Sequence, residues 1–594
     1  ILDDEVISNY NIIEKHADNG QPNLQINYNG KAFFVHDQMD PSKEAKQWVQ
    51  NISPQNGMVF LVFGFGLAYH IEELLQKCKG IDNIKVIVVE PCKRMLIKAL
   101  QSRDLSNVLS NPIVSFIITN DEYKLMQQLE VELPFNLITK GNLNLLLKES
   151  LTSNIAIYRE YASKIRRYLI DNDTNRNTIM RFSTIWTNNN FENLSSVLKS
   201  KPIGNLYNKF TNIPVIIVSA GPSLDKNIHL LPKAKGKAII IAVGTSFKSV
   251  TKQGIDPDFV FAIDGGEIQT KIFNDVESSE TWLCYAPMVY PKVTQIFPKR
   301  FLANTGTSLE WLTNVIGPVG ELVGGPSVAN FAFEFATKIG CNPIILLGQD
   351  LALSNNRTHA KNTIYEDNVI LDKSNLVEVD GINGNKVLTR KDLHGMLTAF
   401  MVVIRQLDER FKVIDATEGG AVISGTEIMT FSNAIDKYLT KEYKISEMIN
   451  QCADSNIIER INLQELRRYM DDTLFEVDEV NYLVNKGKRL SVDFQAMFEE
   501  NKINERKLAK IYDGIIDILK RIKTLKYFCS AASLVINYTN IILDEVNKEA
   551  EKHSYLSYDW GITSAKGYQL YFDELKKICT INDLIRNTLH ELDI

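Results

Sequence analysis

The stretch from Pro214 to Glu267, PVIIVSAGPSLDKNIHLLPKAKGKAIIIAVGTSFKSVTKQGIDPDFVFAIDGGE, reads as strand, turn, helix, strand, helix, strand. Its apolar runs Val215 to Val218, Ala238 to Val243 and Phe259 to Ile263 are too continuous for strands wetted on one side, so they fit a parallel sheet covered on both faces. Ligands of such sheets sit at the carboxyl ends of the strands. The polar clusters Ser219-Ala220-Gly221-Pro222-Ser223, Gly244-Thr245-Ser246 and Asp264-Gly265-Gly266-Glu267 all fall there.

In the first cluster Gly221 lets backbone come close to a ligand, and Pro222 suits the first turn of a helix, where a missing N–H leaves nothing unpaired. Ser223 or Asp225 can cap free amides. A helix start of this kind attracts phosphate through its unpaired N–H groups and the positive end of the helix dipole. Neither a Walker lysine pattern nor GxGxxG is present, so a phosphate site and a capped turn without a ligand both stay open.

Working outward, the 594 residues are 44% hydrophobic and 23% charged, the composition of a globular chain with more than one domain. A net charge of −6 and eight scattered His give no electrostatic footprint for nucleic acid. The seven cysteines form no CxxC pair and several stand in apolar runs, as reduced buried thiols do. No run approaches the roughly 20 apolar residues of a membrane span, and the start ILDDEVISNY is acidic, unlike a secretory signal. A cytoplasmic protein is the expectation.

Three parts follow along the chain, an α/β class overall. Residues 1–152 read as an N-terminal α/β domain of Rossmann-like pattern, with strands Met58 to Phe63 and Lys85 to Val89 around a helix Ala68 to Cys78. The turn Gly64-Phe65-Gly66-Leu67-Ala68-Tyr69-His70 and the strand-end Glu90 resemble a nucleotide site, but a third glycine is missing, which makes His70 and Glu90 structural. Residues 153–202 read as a helical connector, 203–430 as a central, mostly parallel α/β catalytic domain, and 431–594 as helical, from apolar residues recurring at three and four. Within the last part, Tyr555 to Phe572 (YLSYDWGITSAKGYQLYF) carries six aromatics and is expected to be core.

The central region has three further polar clusters. Gly325 and Ser327, in GGPSVA, open a second anion-friendly helix. The strand Pro343 to Leu347 delivers Gln349 and Asp350, with Thr358-His359-Ala360 soon after, and Thr417, Glu418 and Gly419 follow the strand Phe411 to Ile414. His359 is the candidate base, because an unshifted imidazole titrates near neutrality, and Asp350 is the candidate group to orient it. Asp264 offers a hydrogen-bond acceptor or a metal ligand. Asp256-Pro257-Asp258 precedes its strand, at the wrong edge for the site, and reads as turn chemistry. The polar strand-end residues Ser219, Thr245, Asp264, Thr358, Thr417, Glu418 and Gly419 are the expected substrate contacts.

Taken in order, SAGPSLDKN, IAVGTS, PDFVFAIDGGE, GGPSVA, GQDLALS with THA, and DATEGGAVISGT resemble the motility-associated factor (Maf) flagellin glycosyltransferases. The central domain of that family is similar to bacterial sialyltransferases and belongs with pterin pyrophosphokinase-like proteins. The resemblance implies transfer of a nonulosonic acid, of pseudaminic or legionaminic type, from a CMP donor to Ser or Thr of flagellin, without a cofactor or divalent metal. It also implies that Gly221, Pro222 and Ser223 face the donor phosphate, that Gly325 and Ser327 supply further donors, that Gln349 and Asp350 position donor or acceptor, and that His359 is the base. Two alternatives stand beside it: a Mg²⁺-dependent pterin diphosphotransferase using Asp264 and Glu267, and a non-catalytic flagellin-binding protein.

Overall fold

The computed structural model describes residues 11–133, 142–274, 278–306, 309–354, 356–361, 363–365, 376–500 and 503–593, so the acidic start of the chain lies outside it. The chain divides into two compact units, Ile1–Arg181 with Leu543–Glu549, and Phe182–Ile542 with Ala550–Ile594.

In the first unit, strands β1 (Asn11–His16), β2 (Pro22–Tyr28) and β3 (Lys31–Phe34) form an antiparallel sheet. Strands β4 (Val59–Phe63), β5 (Lys85–Glu90), β6 (Val114–Ile118) and β7 (Leu143–Leu147) form a parallel one in the order β6-β5-β4-β7. The expected strand-helix-strand segment is present, with the helix at Tyr69–Cys78.

The second unit is built on strands β8 (Lys201–Pro202), β9 (Val215–Val218), β10 (Ile239–Val243), β11 (Phe259–Ala262), β12 (Trp282–Tyr285), β13 (Arg300–Leu302), β14 (Ile344–Leu347), β17 (Val413–Asp415) and β18 (Glu427–Ile428). The hairpin β15 (Leu376–Asp380) and β16 (Lys386–Arg390) stands apart as its own ladder. Among the described residues the large sheet runs β18-β17-β14-β9-β10-β11-β12-β13-β8, and every pairing in it is parallel. Strand β9 and its neighbour β14 are buried along their whole length, as a sheet covered on both faces requires.

From β9 the chain steps outward through β10 to β13 and then returns to β14 on the other side of β9. The strand order therefore reverses at β9, and a crevice opens at the carboxyl end of such a switch point. Beyond Thr430 the chain is helical. Its longest helix, Leu463–Glu499, packs against Tyr558–Lys577. The aromatic segment divides there: Tyr568, Tyr571 and Phe572 are buried as expected, but Tyr555 and Tyr558 are exposed, contrary to the core reading. Among the described residues no helix is long and apolar enough to cross a membrane.

Candidate functional site

A cleft of about 490 Å³ opens at the switch point, walled by the residues that follow β9, β10, β11 and β14. All of it belongs to the second unit. Asp264 and Asp350 are the carboxyl groups on its wall, and among the described residues no Lys or Arg lines it.

The first turn after β9 is held by protein. The Gly221 N–H donates to Gly348 O at 2.8 Å, and Ser223 donates to the Asp350 carboxylate through its N–H (3.2 Å) and its hydroxyl (2.7 Å). A Cβ on Gly221 would lie 2.1 Å from Asp350 Oδ2 and 2.5 Å from Gly348 O, so glycine is needed for the approach of β14 as such. Pro222 has no N–H to give, and the helix that follows is only Leu224–Asn227. Asp225 does not cap it but accepts the Lys361 N–H at 3.1 Å. The carboxylate of Asp350 thus stands where the sequence suggested a phosphate. Burial pushes this carboxyl up to about 7, against the hydrogen bonds from Ser223 and the Lys226 charge, with Asp415 adding to the rise.

The second helix start keeps its amides open. Ser327 caps helix Val328–Lys338 by accepting the Asn330 N–H, and the first-turn amides of Val328 and Ala329, which have no intrahelical acceptor, belong to cleft-lining residues. Helix geometry makes this the anion-attracting end of the cleft. Gly244 and Thr245, which follow β10, also line the cleft, as does Asp264 after β11, whose Oδ1 accepts the Gly266 N–H at 3.0 Å. Gln349 is buried on the wall, and its side-chain oxygen accepts the Ser219 hydroxyl.

His359 lies on the same wall, half-buried. Its Nδ1 pairs with the Thr358 hydroxyl at 2.8 Å, its ring packs on Tyr365 at 4.8 Å between centroids, and Nε2 has no partner among the described residues. Burial, and then the Arg390 charge, lower its pKa, so the neutral imidazole prevails at pH 7. A neutral imidazole with one nitrogen in a cleft can take a proton from a substrate hydroxyl.

Comparison with known proteins places this geometry. Residues 188–356 match the family model described as 6-hydroxymethylpterin diphosphokinase MptE-like, which covers less than half of the chain. An uncharacterized protein of Treponema pallidum (strain Nichols) is 23% identical over 212 residues, 34% of this chain and 68% of that protein. The solved structure of a Maf glycosyltransferase from Magnetospirillum magneticum AMB-1 superposes with a TM-score of 0.58 at 15% identity, over 98% of this chain and 95% of that one. The chain has the Maf glycosyltransferase fold.

Within the Maf fold, the expected residues sort into two groups. Ser219, Gly221, Thr245, Asp264, Gly325, Ser327, Gln349, Asp350, Thr358 and His359 line the cleft, whereas Pro222, Ser223, Thr417, Glu418 and Gly419 do not. Thr417 is fully buried and accepts the Gln349 N–H at 3.3 Å, and Glu418 accepts from Asn227 and from the Phe431 N–H. Thr417 thus holds the turn after β14, and Glu418 ties two helices together. The proposed pairing of Asp350 with His359 is not found: Ser223 occupies the carboxylate and Thr358 holds the imidazole. Asp258 lies outside the cleft and ties distant segments, accepting from Lys235 at 2.7 Å and from the Ile240 N–H at 2.8 Å. Sequence reading missed Trp186, Gln269, Met288 and Tyr365 on the wall, because none belongs to a spaced motif and each reaches the cleft only through the folded sheet.

The N-terminal glycine turn of this Maf fold is likewise filled by protein. Phe65 N–H donates to Glu90 at 2.8 Å and Leu67 N–H to His36 at 2.8 Å, while His70 pairs with Gly64 O at 3.0 Å. Glu90, raised to about 7 by burial, also receives the Tyr158 hydroxyl.

Proposed function

We propose that this chain is a glycosyltransferase that moves a nonulosonic acid from a CMP-activated donor to a Ser or Thr hydroxyl of flagellin in the cytoplasm. The observation that carries the reading is a cleft at the switch point of a Maf-type sheet, bearing both an open helix start and a neutral imidazole. In this reading the amides at Ser327 to Ala329 receive charge on the departing cytidylate, as preorganised donors do. With Thr358 accepting from Nδ1, the free Nε2 of His359 takes the proton of the attacking hydroxyl. The bond from the anomeric carbon C2 to the phosphate oxygen breaks as the hydroxyl oxygen bonds to C2, the proton goes to His359, and CMP leaves with the bonding electrons.

The matched family description favours a second reading, pterin diphosphotransfer from ATP. It would rest Mg²⁺ on the exposed Asp264 and Glu267, and among the described residues no third ligand joins them in a metal-holding group. A polyphosphate, more highly charged than the single phosphodiester of a CMP donor, would also meet a wall that holds no Lys or Arg among the described residues. The test is transfer to purified flagellin from CMP-nonulosonates, read by intact mass, alongside ATP with hydroxymethyldihydropterin. Sugar addition that falls by roughly a hundredfold or more in His359→Ala supports the first reading. A diphosphorylated pterin product, or flagellin binding without turnover, would replace it.

A further inference from the structure

The part of the cleft lined by residues that follow β11 and β12 is furnished for something other than charge. Gln269, on helix Gln269–Phe273, is only 6% exposed and lines the cleft, yet its carboxamide has no hydrogen-bond partner among the described residues. Its backbone N–H is satisfied by Gly266 O at 3.1 Å, so the side chain is not needed to close the turn. Its carboxamide atoms are not sealed from solvent, so they are open to a partner that arrives through the cleft.

Two neighbours complete the setting. Trp186 is stacked on Phe182 at 5.8 Å, and it packs so closely on Gly265 that a Cβ there would lie 2.6 Å from its ring. Asn189, one turn further along the same helix, donates to Gly265 O at 3.0 Å and Met288 O at 2.9 Å, which ties both strand ends to the helix carrying the indole. Trp186 and Met288 line the cleft with Gln269. An indole and a thioether offer polarizable apolar surface, while a carboxamide presents one donor and one acceptor side by side.

We propose that Gln269, Trp186 and Met288 form a subsite for a planar, uncharged amide-type group of the donor, whose hydrogen-bonding edge Gln269 reads. The inference rests on the transfer reading above. In a CMP-nonulosonate that chemistry has two sources, the pyrimidine base and an N-acyl substituent of the sugar.

Calorimetric titration of the full chain separates them, using wild type, Gln269→Ala and the isosteric Gln269→Glu against CMP, UMP, ribose 5-phosphate and CMP-N-acetylneuraminate. If the base is the occupant, Gln269→Ala weakens CMP about tenfold and leaves ribose 5-phosphate unchanged. Gln269→Glu, an acceptor only, then shifts the CMP to UMP preference toward CMP, because cytosine brings an amino donor where uracil brings a carbonyl. If the N-acyl group is the occupant, CMP is unaffected and only the CMP-sugar weakens. Affinities and preference unchanged in both variants, or a loss equal for CMP and ribose 5-phosphate, would overturn the subsite. Wild type binding no cytidine nucleotide would instead overturn the transfer reading, and the subsite with it.

Discussion

Gly221 and His359 show how differently two residues legible in the sequence behave once folded. Gly221 does permit a close approach, but its neighbour is the Asp350 carboxylate, 2.1 Å from where a Cβ would stand, with Gly348 O at 2.5 Å. Neither the strand-end carbonyl nor the buried carboxylate can retreat cheaply. Gly221→Ala should therefore lower stability by about 1–3 kcal/mol or more in urea denaturation, and lost activity in that variant would report misfolding of the turn. Unchanged stability would mean that β14 can shift away. His359, the proposed base, is tuned by groups that no spacing rule reveals. Its pKa is lowered by burial and then by Arg390, so activity falls as pH drops through a value below the ordinary histidine range, where the base becomes protonated. Arg390→Gln removes one lowering influence, and the acid limb of kcat/KM should move to higher pH, although Asp392, pairing with the guanidinium at 2.9 Å, already offsets part of that charge. A limb that stays put, or moves down, would separate Arg390 from the base. Gln269 was invisible in the sequence for a plain reason: one glutamine in a five-residue helix has no periodicity to distinguish it.

At the scale of elements, the strands of the central sheet were readable because both faces are buried, which makes each an uninterrupted apolar run. The edge strands β8 and β18, two residues long, were not, nor was β13 beside β8, three residues long, all too short to imprint a pattern. Helix packing was equally hidden, since it depends on pairs far apart in the chain. Helices Leu463–Glu499 and Tyr558–Lys577 lock by a reciprocal device in which each sets a phenylalanine ring over a glycine of the other. A Cβ on Gly487 would sit 2.3 Å from the Phe572 ring, and one on Gly561 would sit 2.2 Å from the Phe498 ring. Both rings are buried, so neither can swing into solvent. We expect Gly487→Ala alone to destabilise by about 1–3 kcal/mol. In a Phe572→Leu background the added methyl has room, and its penalty should shrink, giving a coupling of about 0.5–3 kcal/mol in a double-mutant cycle of urea unfolding. Additive losses would show that the helices adjust independently of that contact.

For the molecule as a whole, the electrostatics set an unusual demand. The chain carries a net charge of −6, and the described cleft wall holds Asp264 and Asp350 without a Lys or Arg, yet the proposed donor is an anion. Attraction must then come from fixed dipoles at short range, chiefly the amides opening helix Val328–Lys338, while the long-range field of the protein opposes approach. Salt separates the two contributions, because the Debye length falls from about 10 Å at 0.1 M to about 3 Å at 1 M and screens the distant repulsion more than amide contacts made at hydrogen-bond distance. CMP binding measured by calorimetry at those two ionic strengths should hold steady or tighten as salt rises. A lysine or arginine clamp supplied by residues elsewhere in the chain would produce the opposite trend, with affinity falling steeply as the ion pairs are screened. That outcome would move the anion site away from the helix start and put the charge balance of the cleft, and the donor assigned to it, in error together.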